Sequence, residues 1–335
     1  MANSVDKPGK LFNIDLLRVY AVLSLLIWHC FFCPNLCWRL SEQEFTSPFV
    51  HKILYIISAL FIPDANMPLF TFISGFVFAY LLSIGHYSDW NIFFSKKSKR
   101  LFIPWIILGT VIALTSFEAD FAAIGFKYMA YGGGSHLWFL IMLFWLFLVS
   151  WIIWHYNLRW LNYILMIVSF FAPVWLGKLE ITMLPWGGHK FLLYYVHFAI
   201  GMLLFKWHNN SNIKGWHLLV SSLFYLLAIF FLNVIDEDVI KTTLLSFRCI
   251  VFDLMLYYFV TWFIEKGYIK ENKSVGVISQ YSFGIYVFHH WIAWNLYHVE
   301  IIIESFKSSY LFYALLYTIL IFIVSFYFTK YSLKQ

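Results

Sequence analysis

The chain predicts an all-α polytopic membrane protein, with about ten transmembrane helices around a central polar cavity or tunnel. Three observations carry that prediction. Of 335 residues, 62% are hydrophobic and only 12% are charged. A soluble domain carries about 25% charged residues, so this chain lacks the polar surface to cover a water-facing body. Its 38 Phe, 22 Tyr and 16 Trp suit lipid-facing and interfacial positions. Finally, the lysines and arginines fall in short loops between apolar runs, so the net charge of +6 reflects membrane topology and not nucleic-acid binding.

Ten segments are long and apolar enough to span: 14–33, 53–84, 101–117, 137–155, 160–177, 191–207, 216–235, 246–265, 276–298 and 309–330. The first holds Asp15, Arg18 and His29. The second contains Pro63 and Pro68, which predict a break or kink. The third follows the basic run Lys96-Lys97-Ser98-Lys99-Arg100. The fourth opens at His136 after three glycines, and the sixth follows Trp186-Gly187-Gly188-His189. Arg248 and Asp253 lie in the eighth, and His289 and His290 in the ninth. With the N-terminus in the cytoplasm, inner segments hold fourteen Lys and Arg against eight in outer ones, as the positive-inside rule requires. Outer loops collect acids such as Glu42, Glu118, Asp236 and Glu300. The first run begins with Asp15 and Arg18 and lacks a small-x-small site, so no cleavable signal is expected. Without internal repeat or soluble appendage, residues 1–335 read as one transmembrane domain. Short cytoplasmic ends are expected at 1–13 and 331–335.

Arg18 and His29 are the most informative pair. At about 100° per residue, eleven steps make three turns plus roughly 20°, so both project from one helix face about 16 Å apart along the axis. Ionisable groups at membrane depth cost several kcal/mol and face a bundle interior or a water-filled cavity. A bland alternative exists for Arg18: an i,i+3 ion pair with Asp15 near the inner interface, its stem snorkelling.

On the cytoplasmic side, the run at 96–100 serves as a topology signal and anionic-lipid contact, or as a phosphate patch. In the second reading Lys97 and Arg100, at i and i+3, share a helix face. Toward the exterior, His29, His136, His189, His289 and His290 gather at similar depth. Each alone reads as an interfacial hydrogen-bonding residue; together they offer a proton acceptor near neutral pH. No i,i+4 His pair with an acidic partner appears, so no metal or prosthetic group is expected. Cys30, Cys33 and Cys37 make a poor zinc set; they read as small buried residues, with a disulfide as the alternative. Ser74-Gly75 permits close helix approach. Arg248 and Asp253 pair with each other or with residues elsewhere.

In order along the chain, these residues resemble the motifs of the acyltransferase-3 family of membrane-bound O-acyltransferases. Arg18-x10-His29 resembles its signature, and Met67 to Phe76 its Phe-x-x-Ser-Gly-aromatic segment. Lys97-Ser98-Lys99-Arg100 with Pro104 is similar to its Arg-x-x-Arg element, with lysine in place of the first arginine. His136-Leu137-Trp138-Phe139-Leu140 resembles its Leu-Trp-aromatic-Leu motif, and Ser282 to His289 its late Ser-x-x-Ile-Tyr-x-x-His.

The resemblance implies transfer of an acyl group, usually acetyl, from cytoplasmic acyl-CoA to a hydroxyl of a surface polysaccharide or lipid-linked oligosaccharide. It makes Arg18 and His29 essential. Acetyl-CoA is then the donor, bound by Arg18, Lys96, Lys97 and Arg100, and its pantetheine arm suits a long tunnel. His29 acts as general base. Ser74, His136, Trp138, Tyr286 and His289 are candidates for oxyanion or acceptor contacts. The expected setting is the bacterial cytoplasmic (inner) membrane, among lipids, with a homodimer as one open arrangement and no nucleic-acid partner. A rival reading is a transporter or exporter of a glycan or small solute, using Arg18, His29 and Asp253 as a relay; the lack of two-half symmetry argues against it. A scaffold with vestigial residues is a third.

Overall fold

Each of the ten apolar segments is built on helix wherever the structure describes it. That structure is a computed structural model, which describes residues 11–32, 47–61, 66–115, 135–208, 213–297, 299, 305–306 and 308–332. The helices are α1 (Phe12–Ile27), α2 (Pro48–Phe61), α3 (Asn66–Ser83), α4 (Trp90–Lys97), α5 (Ile103–Thr115), α6 (Trp138–His155) and α7 (Arg159–Phe170). They continue as α8 (Ala172–Lys178), α9 (Gly188–His208), α10 (Gly215–Val234), α11 (Asp238–Glu265), α12 (Lys273–Tyr297) and α13 (Tyr310–Ser332). Helix α1 runs on into a π turn at Trp28–Phe32, and a second π turn, Ser98–Phe102, joins α4 to α5. Among the described residues there is no strand. The chain is an all-α, multi-pass membrane protein.

Ten crossings were expected, and among the described residues seven helices meet the length and apolarity of a span, or eight if α7 and α8 count as one bent crossing. The shortfall has physical causes. Pro173, in the first turn of α8, accompanies a 56° bend after α7. Helix α12 is 25 residues long, yet Ser279, Gln280, Ser282, His289 and His290 dilute its apolar character. Pro68 sits in the first turn of α3, where a missing N–H costs nothing, so the long second segment becomes two helices. Pro63 lies outside the described residues.

The helices form two compact units, residues 1–66 with 256–335, and residues 67–255. In the first, α1 lies along α12. Asp15 and Arg18 of α1 meet Ser279, and His29 meets His289 and His290. Sequence number rises together on both, so the two helices are parallel. Asn13 Nδ2 donates to Thr261 Oγ1 (3.1 Å) at the end of α11. The buried Ser24 hydroxyl donates to Asn66 Oδ1. The Tyr310 hydroxyl donates to the carbonyl of Phe31, inside the π turn, where widening of the helix frees carbonyls.

In the second unit, α3 and α9 cross backbone to backbone. A Cβ added at Gly75 would strike the carbonyl of Phe198, and one at Gly201 that of Phe72. Each helix thus supplies one glycine to the other's main chain, the small-residue contact anticipated at Ser74-Gly75. Around them lies an aromatic core: Phe78 packs on Phe147 (centroids 5.0 Å) and Phe198 (5.9 Å), and Phe93 stacks on Trp151 at 5.4 Å. The Trp151 indole N–H donates to the carbonyl of Tyr87 (2.9 Å).

Candidate active site

Two polar layers stand on the α1–α12 contact. In the lower one, Ser279 Oγ donates to Asp15 Oδ1 at 2.6 Å, and Arg18 Nη1 lies 3.5 Å from Ser279 Oγ and 3.6 Å from Asp15 Oδ1. The Asp15–Arg18 pair weighed on sequence grounds therefore exists, but a buried serine from a helix some 260 residues away completes it. The Arg18 side chain keeps 31% of its surface accessible against 14% for Asp15. Its charge is partly compensated and still reachable.

The upper layer is a cluster of three imidazoles. The His29 ring centroid lies 5.0 Å from that of His289 and 5.2 Å from that of His290, and the latter two are 6.2 Å apart. His29 sits in the π turn, a local distortion frequent at functional sites. His289 is fully buried. Its Nδ1 faces the carbonyl oxygens of Tyr286 (2.6 Å) and Ile285 (3.2 Å). A carbonyl only accepts, so Nδ1 carries the hydrogen, and in the neutral ring Nε2 presents a lone pair. A neutral His289 therefore does not suit the expected role of oxyanion donor, because its one N–H is already committed. Tyr286 is buried beside it, with ring centroids 5.8 Å apart.

The basic segment belongs to the second unit and departs from expectation. Lys97 was expected to share a face with Arg100. Instead Lys97 is buried, its Nζ 3.3 Å from the ring centroid of Phe147, 4.8 Å from Tyr87 and 5.4 Å from Phe78, while Lys96, Lys99 and Arg100 are exposed. The π turn begins at Ser98 and turns less per residue than an α-helix, so Arg100 falls off the face that Lys97 occupies. Burial, and then the nearby Arg100 charge, hold the Lys97 ammonium well below the usual lysine range; the ring faces act in the opposite sense. Burial likewise raises the Tyr87 phenol. Lys96 Nζ donates to His86 Nε2 at 3.0 Å.

The remaining candidates are spread through the second unit. Ser74 spends its hydroxyl hydrogen on the carbonyl of Phe70 (2.8 Å), so it does not offer the oxyanion donor expected of it. His136 is buried in the short helical turn before α6. Trp138 packs on Tyr194 (5.4 Å), with Lys190 Nζ 4.8 Å from its ring centroid. Asp253 does not pair with Arg248. Its Oδ2 accepts from His197 Nδ1 at 2.9 Å, and both groups are buried. Sequence reading passed over His197, and no local pattern marks it, since its partner lies 56 positions away. Cys30 is buried; Cys33 and Cys37 lie outside the described residues. Among the described residues, no group of three or more His, Cys, Asp or Glu could hold a metal ion.

A family model, Acyl_transf_3, described as an acyltransferase domain, matches residues 11–330. The match takes in almost the whole chain, and the chain belongs to the acyltransferase-3 family. It is a membrane acyltransferase. No curated protein and no solved structure matches it.

Proposed function

We propose that this protein transfers an acetyl group from cytoplasmic acetyl-CoA to a hydroxyl of an extracytoplasmic glycan or lipid-linked saccharide, in a bacterial inner membrane. The observation that carries the reading is the parallel α1–α12 pair. It stacks a reachable guanidinium (Arg18) and an imidazole cluster (His29, His289, His290) on one helix contact, separated by about 11 residues or 16 Å of helix. A thioester on a long pantetheine arm spans such a separation.

Arg18 binds the phosphates of the donor. Lys97, enclosed by rings, fixes the segment that carries Arg100. In the imidazole layer, His289 donates through Nδ1 to Tyr286 and presents a lone pair on Nε2. The ring separation of 5.0 Å to His29 suits a hydrogen bond from His29 to that lone pair, which turns the other nitrogen of His29 toward the acceptor as a base. This is the base-and-orienter arrangement of acyl-transfer enzymes. His29 removes the acceptor hydroxyl proton, the alkoxide attacks the thioester carbonyl, and the tetrahedral intermediate collapses to the ester and CoA thiolate, which takes up the proton.

The test is free-thiol release from acetyl-CoA by membranes carrying the protein, with acetyl content of the surface polysaccharide read by mass spectrometry. Acceptor-dependent release that His29→Ala abolishes, with acetyl-CoA still bound, supports the reading. Full acetylation by His29→Ala refutes the base assignment. Thiol release absent from the unaltered protein with acetyl-CoA and with longer acyl-CoAs refutes the donor class.

A further inference from the structure

The second unit carries a cationic cavity unrelated to the groups above. Helix α6 ends in a turn where Asn157 adopts a left-handed backbone (φ 54°); Leu158 N–H closes it on the carbonyl of Ile153 at 2.9 Å, and asparagine tolerates that conformation. The Asn157 side chain then accepts from Arg159 Nε (2.9 Å), a bond that does not use the two terminal guanidinium nitrogens. Opposite stands Lys206 of α9, its Nζ 4.3 Å from the ring centroid of Trp154. Arg159, Lys206, Asn157, Asn162 and Trp154 line one cavity of about 160 Å³, and no acidic residue lines it. Among the described residues neither cation has an acidic partner. Two unneutralised cations lining one cavity invite an anion, and the planar fork of arginine matches phosphate oxygens.

The surroundings indicate which phosphate. Leading away along α7 is a stripe of Trp160 (61% exposed), Ile164 (47%) and Ile167 (61%), at the i, i+4, i+7 spacing of one helix face. A ligand with its phosphate in the cavity lays hydrocarbon along this stripe. We propose that the cavity at the α6–α7 turn is a binding site for an anionic phospholipid headgroup. Its cations sit where basic pockets between membrane helices hold such headgroups.

The test is native mass spectrometry of the full-length, delipidated protein in detergent. It is titrated with phosphatidylglycerol, phosphatidylcholine and inorganic phosphate, and compared with Arg159→Gln/Lys206→Gln. Each surface cation contributes about a factor of five. The unaltered protein should therefore bind phosphatidylglycerol about thirtyfold more tightly than the double variant does, should show little phosphatidylcholine bound, and should lose its preference in high salt. The charge-conserving Arg159→Lys/Lys206→Arg should restore most of the affinity, which separates charge from misfolding. Equal retention of the two lipids by the unaltered protein overturns the proposal, as does undiminished phosphatidylglycerol binding by a folded double variant. Saturation by inorganic phosphate without lipid preference assigns the cavity to a soluble anion and overturns the lipid source. If the double variant fails to fold, the lipid preference of the unaltered protein and its salt dependence decide. None of these readouts depends on acyl transfer.

Discussion

The two π turns handle their polar residues in opposite ways. At Trp28–Phe32 the distortion starts one residue before His29, so the α-helical register from Arg18 persists and the imidazole meets partners on a neighbouring helix. At Ser98–Phe102 it falls between Lys97 and Arg100, so one cation turns into an aromatic core and the other out. In the first region polar groups answer one another across helices, as groups poised for chemistry do. In the second, a lone charge is wrapped in rings, which fixes architecture. Where a helix widens relative to a residue pair decides whether that pair works together.

The largest effect that could break this contrast concerns transfer itself. His29→Ala should lower turnover by about 10²–10⁴, the range for a general base, while Lys97→Met leaves turnover within a fewfold in the same thiol-release assay. Comparable losses in both would erase the distinction. Asp253→Ala should cost about 3–5 kcal/mol of stability, because it strands a buried imidazole; denaturant titration in detergent reads it, and a loss under 1 kcal/mol would mean His197 finds another partner. Gly75→Val should cost about 1–3 kcal/mol by forcing α3 off Phe198, seen as a lower melting temperature. Ser279→Ala removes a hydrogen bond to a charged group, worth about 1.5–3 kcal/mol at most. Its clearer signature should be a raised KM for acetyl-CoA with kcat little changed, as Arg18 loses its fixed position.

The smallest effect concerns proton binding at Lys97. The folded protein holds that proton less tightly than the unfolded chain does, where the ordinary lysine value of 10.5 applies. The unfolded state thus binds more protons, so stability should rise with pH from the depressed folded value up toward 10.5. Lys97→Met should raise the melting temperature at neutral pH by a few degrees and remove that rise. A variant less stable than the original across this range would show that the attraction of the rings outweighs burial.

Much of this was legible in the chain. Apolar run lengths located helix in every segment but overcounted the spans, and the period of the α-helix placed Arg18 and His29 on one contact. What periodicity does not encode is tertiary pairing. Ser279 contacts Asp15 across 264 positions, and His197 contacts Asp253 across 56; nothing local distinguishes either from a residue hydrogen-bonded to its own helix. Nor does composition reveal where a hydroxyl is spent, so Ser74 read as available. The length-and-apolarity criterion passes over α12 for the same reason that α12 matters, since Ser279, His289 and His290, which dilute its hydropathy, are the residues that meet α1.

The parallel run of α1 and α12 also bears on how the protein is made. Helix α1 leaves the ribosome long before α12, and for that interval Asp15, Arg18 and His29 lie in or near the bilayer without Ser279, His289 or His290. The nascent chain must shelter three ionisable groups in the insertion machinery, or against transient neighbours, until residue 290 has been threaded. The α1–α12 contact thus forms late in biosynthesis, and a ribosome stalled before α12 leaves behind a membrane stub whose polar groups lack the partners that α12 supplies.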